Sequence, residues 1–274
     1  MSNPLRHMDR REFLRRGALL IPALHAGLLG TAAGASGGVA ATAGKARQPV
    51  EFLELELHSH RIEEQHTFYR DTLGLDTALE GDSLVVRAGA SRLRFVPSAD
   101  GSEPMYHFAF MIPENKLERA IEWMKGRSPL QPNTRDGGVV FHFRRWNAHS
   151  VYFFDPAGHL AEFIAHHELP TSAPGAFSPR DILYACEIGL VTPEMDPLLD
   201  ALEGRLGLTP LFDPSPGFAP VGDRHGLFIC VQEQRIWLAS DLRAQIYPVE
   251  ATIRGTGEGI VELGELPYRV RTVL

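Results

Sequence analysis

The stretch FYRDTLGL at residues 68–75 has the pattern of an amphipathic helix that ends at a glycine. An echo of it, LEGRLGL, occupies residues 202–208, which is 133 positions further along the chain. At the same offset, LEL at residues 53–55 aligns with CEI at residues 186–188, so a short apolar strand precedes each helix. Self-similarity at a fixed offset indicates a repeated supersecondary unit. The sequence therefore predicts a chain built from copies of one strand-and-helix unit.

A third copy lies between these two. It begins with YHFAFMIP at residues 106–113, which aligns with residues 186–193, and a helix is predicted over residues 115–127. After each helix come short alternating segments bounded by Gly, Asp or Pro, which is typical of strands. The predicted unit is therefore βαβββ. In the three copies one equivalent position of the first strand is polar: it is occupied by Glu54, His107 and Glu187.

This pattern predicts an α+β fold of tandem βαβββ modules, with two paired modules and a third, C-terminal one. The paired modules are expected over residues 50–168 and the third over 181–254. Residues 169–180 are rich in Pro, Gly and Ser and predict a linker. Residues 255–274 form a tail whose structure the sequence leaves open. Since three modules do not divide into pairs, the third could pair with a second chain in a homodimer, or cap the first two.

Composition excludes several functional classes. The chain has 274 residues, of which 44% are hydrophobic and 22% charged, values that are typical of a globular protein and not of a disordered one. The net charge of −7 speaks against a nucleic-acid partner, which selects basic surfaces. Two cysteines are too few for a disulfide scaffold. Cys186 and Cys230 could form one bridge or remain two buried thiols.

The first 43 residues differ from the rest. They carry five arginines against two acidic residues, a net charge of +3, so the remaining chain carries −10. An apolar segment at residues 17–29 and ATA at 41–43 complete the pattern of a cleaved signal peptide. DRREFLR at residues 9–15 resembles the twin-arginine export signal. We therefore expect the twin-arginine export machinery to recognise the chain, cleavage near Ala43, and a periplasmic or secreted product with no membrane attachment.

The modular pattern and YFFDPAGHLAE at residues 152–162 resemble the vicinal oxygen chelate superfamily. That superfamily includes glyoxalase I, extradiol dioxygenases, methylmalonyl-CoA epimerase and the bleomycin-resistance proteins. The resemblance implies that paired modules form a curved sheet holding a divalent metal ion on its concave face. It also implies that the ligands come from the first and the last strands of the modules.

Carried over position by position, the resemblance places metal ligands at Glu54, His107 and Glu162, and the fourth equivalent position falls on Arg94. One imidazole and two carboxylates suit Fe, Mn, Zn, Ni or Mg ions. The implied function is that of a metal-dependent lyase, isomerase or dioxygenase acting on a small substrate with two neighbouring oxygens. Arg94 would then orient the substrate, and His149 would act as an acid or base.

Three alternatives stay open at this point. Arg94 could neutralise Glu54 and Glu162, which would give a metal-free protein that sequesters a small molecule, as the bleomycin-resistance proteins do. His149 could be a surface histidine with no catalytic role. Glu187 has no apparent carboxylate partner on the last strand of its own copy, and we interpret it as a relic or a salt-bridge residue.

Overall fold

The structure is a computed structural model that describes residues 48–255 and 259–274. The predicted signal peptide at residues 1–43 lies outside the described residues. In the two described ranges, no helix is both long enough and apolar enough to cross a membrane.

The first two modules follow the predicted βαβββ pattern, whereas the third lacks the strand expected at residues 210–212, where Pro210 forms only an isolated bridge with Val221. The first module comprises β1 (Glu51–Ser59), α1 (Ile62–Thr67, continued by a π-helical turn at Phe68–Thr72), β2 (Asp76–Glu80), β3 (Ser83–Ala88) and β4 (Ser91–Pro97). The second comprises β5 (His107–Met111), α2 (Leu117–Met124), β6 (Phe141–Phe143), β7 (Ala148–Phe154) and β8 (Leu160–His166). The third comprises β9 (Tyr184–Thr192), α3 (Met195–Leu206), β10 (Phe218–Asp223) and β11 (Gly226–Gln232). The α+β fold with repeated modules is therefore confirmed.

The C-terminal segment forms a fourth, reduced module. It comprises β12 (Val249–Arg254), β13 (Gly259–Glu262) and β14 (Tyr268–Val273). In each of the first three modules the first and last strands pair in parallel, and β12 pairs with β14 in the same way. No helix connects β12 to β13 among the described residues. The tail that the sequence left open thus completes an even number of modules within one chain.

The modules pair differently from their order along the chain. We expected residues 50–168 to form one paired domain, but its two modules lie in separate seven-stranded sheets. Sheet A combines the first module with the fourth, in the order β13-β14-β12-β1-β4-β3-β2. Sheet B combines the second module with the third, in the order β10-β11-β9-β5-β8-β7-β6. Each sheet is joined at its centre by an antiparallel pair of first strands, β1 with β12 in sheet A and β5 with β9 in sheet B.

One face of each sheet packs against the other sheet. The rings of Phe95 on β4 and Phe108 on β5 have their centroids 6.4 Å apart, and Phe52 on β1 meets Phe228 on β11 edge-on at 5.1 Å. All four side chains are almost completely buried, so this apolar layer is the main core. Because side chains alternate across a strand, the remaining residues of the central strands point to the opposite side. We call that side the outer face of each sheet.

The repeated Leu-Gly-Leu motif ends its helix by a recognisable hydrogen-bond pattern. Gly207 follows α3 with φ of 63°, a left-handed conformation that only glycine adopts readily. Its N–H donates to Glu203 O at 2.7 Å, which is the hydrogen bond of an αL cap, and the Leu208 N–H donates to Leu202 O at 3.1 Å. Leu202 and Leu208 are buried, so the turn fastens the helix to the core.

The second family-like motif, the Asp-Pro turn between β7 and β8, is also structural. One carboxylate oxygen of Asp155 accepts the backbone N–H groups of Ala157 and His159 at 3.0 and 2.9 Å. The other accepts a hydrogen bond from Gln65 Nε2 at 2.6 Å and one from the Tyr69 hydroxyl at 3.0 Å. Both motifs therefore meet in one buried network that joins the first two modules.

The two cysteines do not form a bridge. Cys186 on β9 and Cys230 on β11 are both buried and free. Burial raises the pKa of each thiol above its usual value. Of the two alternatives, the structure has the two buried thiols.

Candidate metal centre

Three ionisable side chains converge at the centre of the outer face of sheet B. They are His107 on β5, Glu162 on β8 and Glu187 on β9, and each offers one ligating atom within 4.8 Å of the others. All three side chains are buried, with 5%, 1% and 3% of their surface exposed. No other group of this kind occurs among residues 48–255 and 259–274.

Sheet register brings these three residues together. Strand β5 lies between β8 and β9, and its residue Ala109 stands opposite Glu162 on one side and Glu187 on the other. His107 precedes Ala109 by two residues and therefore points to the same face. The small side chain of Ala109 leaves the space between the two carboxylates free. Three adjacent strands thus supply one ligand each.

Hydrogen bonding sets the tautomer of His107. Its Nδ1 lies 3.1 Å from the backbone oxygen of Leu160, and since a carbonyl only accepts, Nδ1 must carry the proton. In the neutral ring Nε2 then carries a lone pair. That atom lies 3.6 Å from Glu162 Oε2 and 3.8 Å from Glu187 Oε2. Burial lowers the pKa of His107, which favours this neutral, ligating form.

The two carboxyl groups lack protein partners on one oxygen each. Glu162 Oε1 and Glu187 Oε1 are buried and accept no hydrogen bond. Burial raises the pKa of both carboxyls to about 8, and for Glu162 the neighbouring Glu187 adds to the effect. A buried carboxylate without a cation is costly, so such groups are either protonated or bound to a positive charge.

The donor set fits a divalent metal ion. Protein ligands lie about 2.0–2.2 Å from ions such as Zn²⁺ or Mg²⁺, so neighbouring ligand atoms are about 3.0–3.6 Å apart. The two distances from His107 Nε2, 3.6 and 3.8 Å, are close to this spacing and longer than hydrogen bonds. One imidazole and two carboxylates suit Mn, Fe, Zn, Ni or Mg ions. The position on β11 opposite Gly189 is Ile229, which offers no ligand and leaves that side of the site open.

A cavity of about 310 Å³ opens over these three residues. Its walls are mainly apolar and aromatic; they include Phe143, Trp146, Tyr152, Phe218, Ile229, Val231, Ile236, Trp237 and Leu238. Tyr152 stands opposite Glu162 on the neighbouring strand. Burial and the nearby carboxyls Glu162 and Glu187 raise the pKa of Tyr152 well above 10, so its hydroxyl stays protonated and can donate a hydrogen bond into the cavity.

Trp237 covers the site from the segment between β11 and β12. Its ring lies 5.1 Å from that of His107, centroid to centroid, and its exposed fraction is 7%. The ring can approach because residue 189 is glycine: a Cβ there would lie 2.6 Å from Trp237 Cη2. The indole Nε1–H is buried and has no acceptor. It is therefore available to a bound molecule.

Glu54, expected to be the first ligand, lies elsewhere. It is on β1 in sheet A, and its carboxylate forms an ion pair with Arg92 on the neighbouring strand β4. It does not join His107 and Glu162, because β1 and β5 belong to different sheets. Glu187 takes its place beside them, and no Lys or Arg side chain pairs with Glu187 within the described ranges.

The structure also places the two predicted catalytic residues away from the cluster. Arg94 is on the outer face of sheet A, where it contacts Glu56 at 3.4 Å and Glu80 at 2.8 Å. It therefore neither orients a substrate at this cavity nor neutralises Glu162.

His149 lies on β7, next to Ser150, and alternation turns it to the opposite side of the strand from Ser150 and Tyr152. There its Nδ1 lies 2.5 Å from His167 Nε2, and its ring stacks edge-on with that of His142.

Sequence reasoning missed the roles of Glu187 and Trp237. The sequence did show that Glu187 is equivalent to His107 in the repeat. Whether the two side chains lie close together, however, depends on which modules pair. Trp237 lies in an irregular segment without strand or helix periodicity, so no pattern pointed to it.

Comparison with known proteins gives matches at the level of structure alone. No protein-family model and no curated protein sequence matches the chain. The chain is similar to the crystal structure of a proposed dioxygenase from Bacillus subtilis subsp. subtilis str. 168, with a TM-score of 0.52, 16% identity, and coverage of 83% of this chain and 86% of the other.

Two glyoxalases are also among the matched structures. Glyoxalase I from Zea mays matches with a TM-score of 0.44, 12% identity and 74% coverage of both chains. Lactoylglutathione lyase from Agrobacterium tumefaciens matches with a TM-score of 0.37 and 20% identity, over 46% of this chain and all of its own. At 16% identity the Bacillus match shows the fold and nothing finer. It agrees with the α+β fold of tandem modules that the sequence predicts.

Proposed function

We propose that the protein is a metal-dependent enzyme that binds one divalent ion through His107, Glu162 and Glu187. Its substrate is a small molecule with two neighbouring oxygens, and its reaction is a lyase, isomerase or dioxygenase reaction. The observation that carries this proposal is the buried cluster itself. Two carboxyls with unpartnered oxygens and an imidazole lone pair face each other at distances that suit ligands around an ion.

The residues around the cluster have distinct roles in this proposal. A divalent ion bound there would supply Lewis acidity to two substrate oxygens. Ile229 and Val231 leave the approach on the β11 side free of competing ligands. Trp237 covers the site and excludes water, and an interaction with the ion is stronger in such a low-dielectric space. The Tyr152 hydroxyl, which stays protonated, would donate a hydrogen bond to Glu162 or to a substrate oxygen.

Export remains part of the proposal. The paired Arg10 and Arg11 with the following Phe13 and Leu14 support recognition by the twin-arginine machinery. Export of a folded chain suits a protein that acquires its metal before it crosses the membrane. Replacing both arginines by lysine should keep the protein inside the cytoplasm in its uncleaved form, which cell fractionation would detect. Unchanged export of that variant would contradict this part of the proposal.

Metal content tests the central proposal. The full chain would be produced in a bacterium, and the purified protein analysed by elemental mass spectrometry. We expect about one divalent ion per chain in the wild type and almost none in Glu162→Gln, since Gln keeps the shape but loses the charge. Glu56→Gln is the matched control, because Glu56 lies on the outer face of sheet A and contacts Arg94. A wild type without stoichiometric metal would refute the metalloenzyme and favour a metal-free binding protein.

A further inference from the structure

The opening of the cavity is basic in an otherwise acidic chain. Beyond residue 43 the chain carries a net charge of −10, yet the side chains at the rim include Arg135 and Arg235. Both are exposed, and neither forms an ion pair with any described acidic residue. Without an acidic partner, these two guanidinium groups are free to receive an anion.

An open groove extends the basic surface. It shares Arg135, Phe143 and Trp146 with the cavity and adds Arg144 and Arg145. Its one acidic lining residue is Asp136, whose Oδ1 already accepts the Gly138 N–H at 2.9 Å. Positive charge is therefore concentrated where a ligand would enter. Such a concentration attracts small anions and raises their rate of association.

The position of Arg235 is supported by a neighbouring ring. Its guanidinium carbon lies 5.4 Å from the centroid of Phe218, which also lines the cavity. A cation held over an aromatic face loses less freedom when it binds an anion. The carboxyls of Glu162 and Glu187 on the cavity floor would be neutralised by a bound divalent ion, so the two arginines are the positive groups left to receive a carboxylate.

The volume of the cavity and the side chains of its walls limit the size and shape of the remaining part of the ligand. The volume of about 310 Å³ is at the low end for ligand pockets, which span about 300–1,000 Å³. Aromatic side chains line it on several sides, among them Phe143, Trp146, Tyr152, Phe218 and Trp237. Flat apolar molecules stack well against such walls.

We infer that the substrate is a small aromatic or unsaturated carboxylate, with its carboxylate held by Arg135 and Arg235. Its two neighbouring oxygens face His107, Glu162 and Glu187. This inference rests on the proposed metal-dependent function and adds the substrate class. A guanidinium binds a carboxylate through two parallel hydrogen bonds, so the arginines select for this group and also orient the molecule.

A matched pair of probes tests the inference. 3,4-Dihydroxybenzoate and catechol have the same two hydroxyl groups and differ by one carboxylate. Isothermal titration calorimetry would measure both affinities for the wild type, in metal-loaded and in metal-free protein. We expect the carboxylate to improve affinity about ten- to hundredfold, the usual range for a charge-assisted hydrogen bond, and the preference to weaken as salt is added.

Two double variants test whether the preference for the carboxylate depends on the two arginines at the cavity opening. Arg135→Gln/Arg235→Gln should bring the two affinities to within about twofold of each other. Arg87→Gln/Arg271→Gln removes the same charge from exposed positions on sheet A and should leave the preference unchanged. Equal affinities in the wild type, or equal losses in both double variants, would overturn the inference.

The outcomes also separate the inference from the proposed function. A protein that holds its metal but binds both probes equally would contradict the substrate class alone. A protein without metal that still prefers 3,4-dihydroxybenzoate would contradict the metalloenzyme and support an anion-binding pocket. The preference is measurable in both cases, because it depends on the arginines and not on the ion.

Discussion

The outer faces of the two sheets both carry carboxylates, but the surroundings of these carboxylates differ. On sheet A, Glu54 and Glu56 are partly exposed and each contacts an arginine of β4. On sheet B, Glu162 and Glu187 are buried beneath Trp237, and each keeps one oxygen without a partner. The same module thus provides an ion-paired surface in one sheet and a candidate metal site in the other. The difference between the two faces is that arginine side chains pair with the carboxylates of sheet A, whereas no arginine or lysine pairs with those of sheet B in the described part of the chain.

The largest effect is expected from neutralising Glu187, with the same change at its repeat equivalent Glu54 as the control. Glu187→Gln should lower metal affinity by a factor on the order of 100 or more, because it removes a charged ligand from a buried site. Glu54→Gln, the equivalent change in the first module, should leave metal affinity unchanged. Titration with a competing chelator measures both. Loss of metal in Glu54→Gln would show that the wrong copy of the repeat has been assigned.

The pH dependence of stability should differ between the two faces in metal-free protein. Glu162 and Glu187 have a pKa of about 8 when folded, against 4.5 as the ordinary value, so the folded state binds more protons between these limits. The free energy of unfolding therefore falls as pH rises. His107, whose pKa is lowered, acts oppositely below its ordinary 6.5.

The clean window is thus from about pH 6.5 to 8, where we expect a decrease of up to about 4 kcal/mol. Urea unfolding at a series of pH values measures it. Glu162→Gln/Glu187→Gln should abolish most of this slope, and Glu54→Gln/Glu56→Gln should retain it. If the stability of the metal-free wild type did not change with pH in this window, the raised pKa of the two buried carboxyls would be contradicted.

A third prediction concerns Trp237, which covers the buried carboxyls of sheet B. Gly189→Ala should displace Trp237, because the new Cβ would lie 2.6 Å from its ring. We expect a loss of about 1–3 kcal/mol, as in other overpacked sites, and a red shift of tryptophan fluorescence. Gly204→Ala is the control: it lies within α3 with open space around it, and should stabilise the protein by about 0.5–1 kcal/mol. Unchanged fluorescence in Gly189→Ala would show that Trp237 does not rest on Gly189.

The smallest effect is expected on the ion-paired face. Arg92→Gln removes the partner of Glu54, whose side chain is 27% exposed, while that of Arg92 is 49% exposed. Exposed pairs contribute about 0–1 kcal/mol, so the midpoint of urea unfolding should barely move and should move less at high salt. A loss above about 2 kcal/mol would contradict the view that sheet A depends little on its surface ion pairs.

Much of the fold was predictable because the evidence for it is local. The Leu-Gly-Leu helix end, the Asp155 turn and the alternation of β5 and β9 each depend on residues a few positions apart. His107 was found as a polar position of the repeat, whereas Glu162 and the ligand role of both came from the resemblance to the vicinal oxygen chelate superfamily. Glu187 was recognised as the repeat equivalent of Glu54 and His107 but was interpreted as a relic or a salt-bridge residue, because its contact with His107 and Glu162 crosses from one module to another.

By itself the sequence determined the repeated βαβββ unit, the acidic character of the chain beyond residue 43, and which residue types stand at the polar strand positions. Only the tertiary structure decided that β5 pairs with β9 and β1 with β12, and hence that Glu187 joins the cluster while Glu54 does not. The physical reason is that strand pairing between modules depends on complementary edges far apart in the chain. The periodicity within a module carries no information about which edges meet.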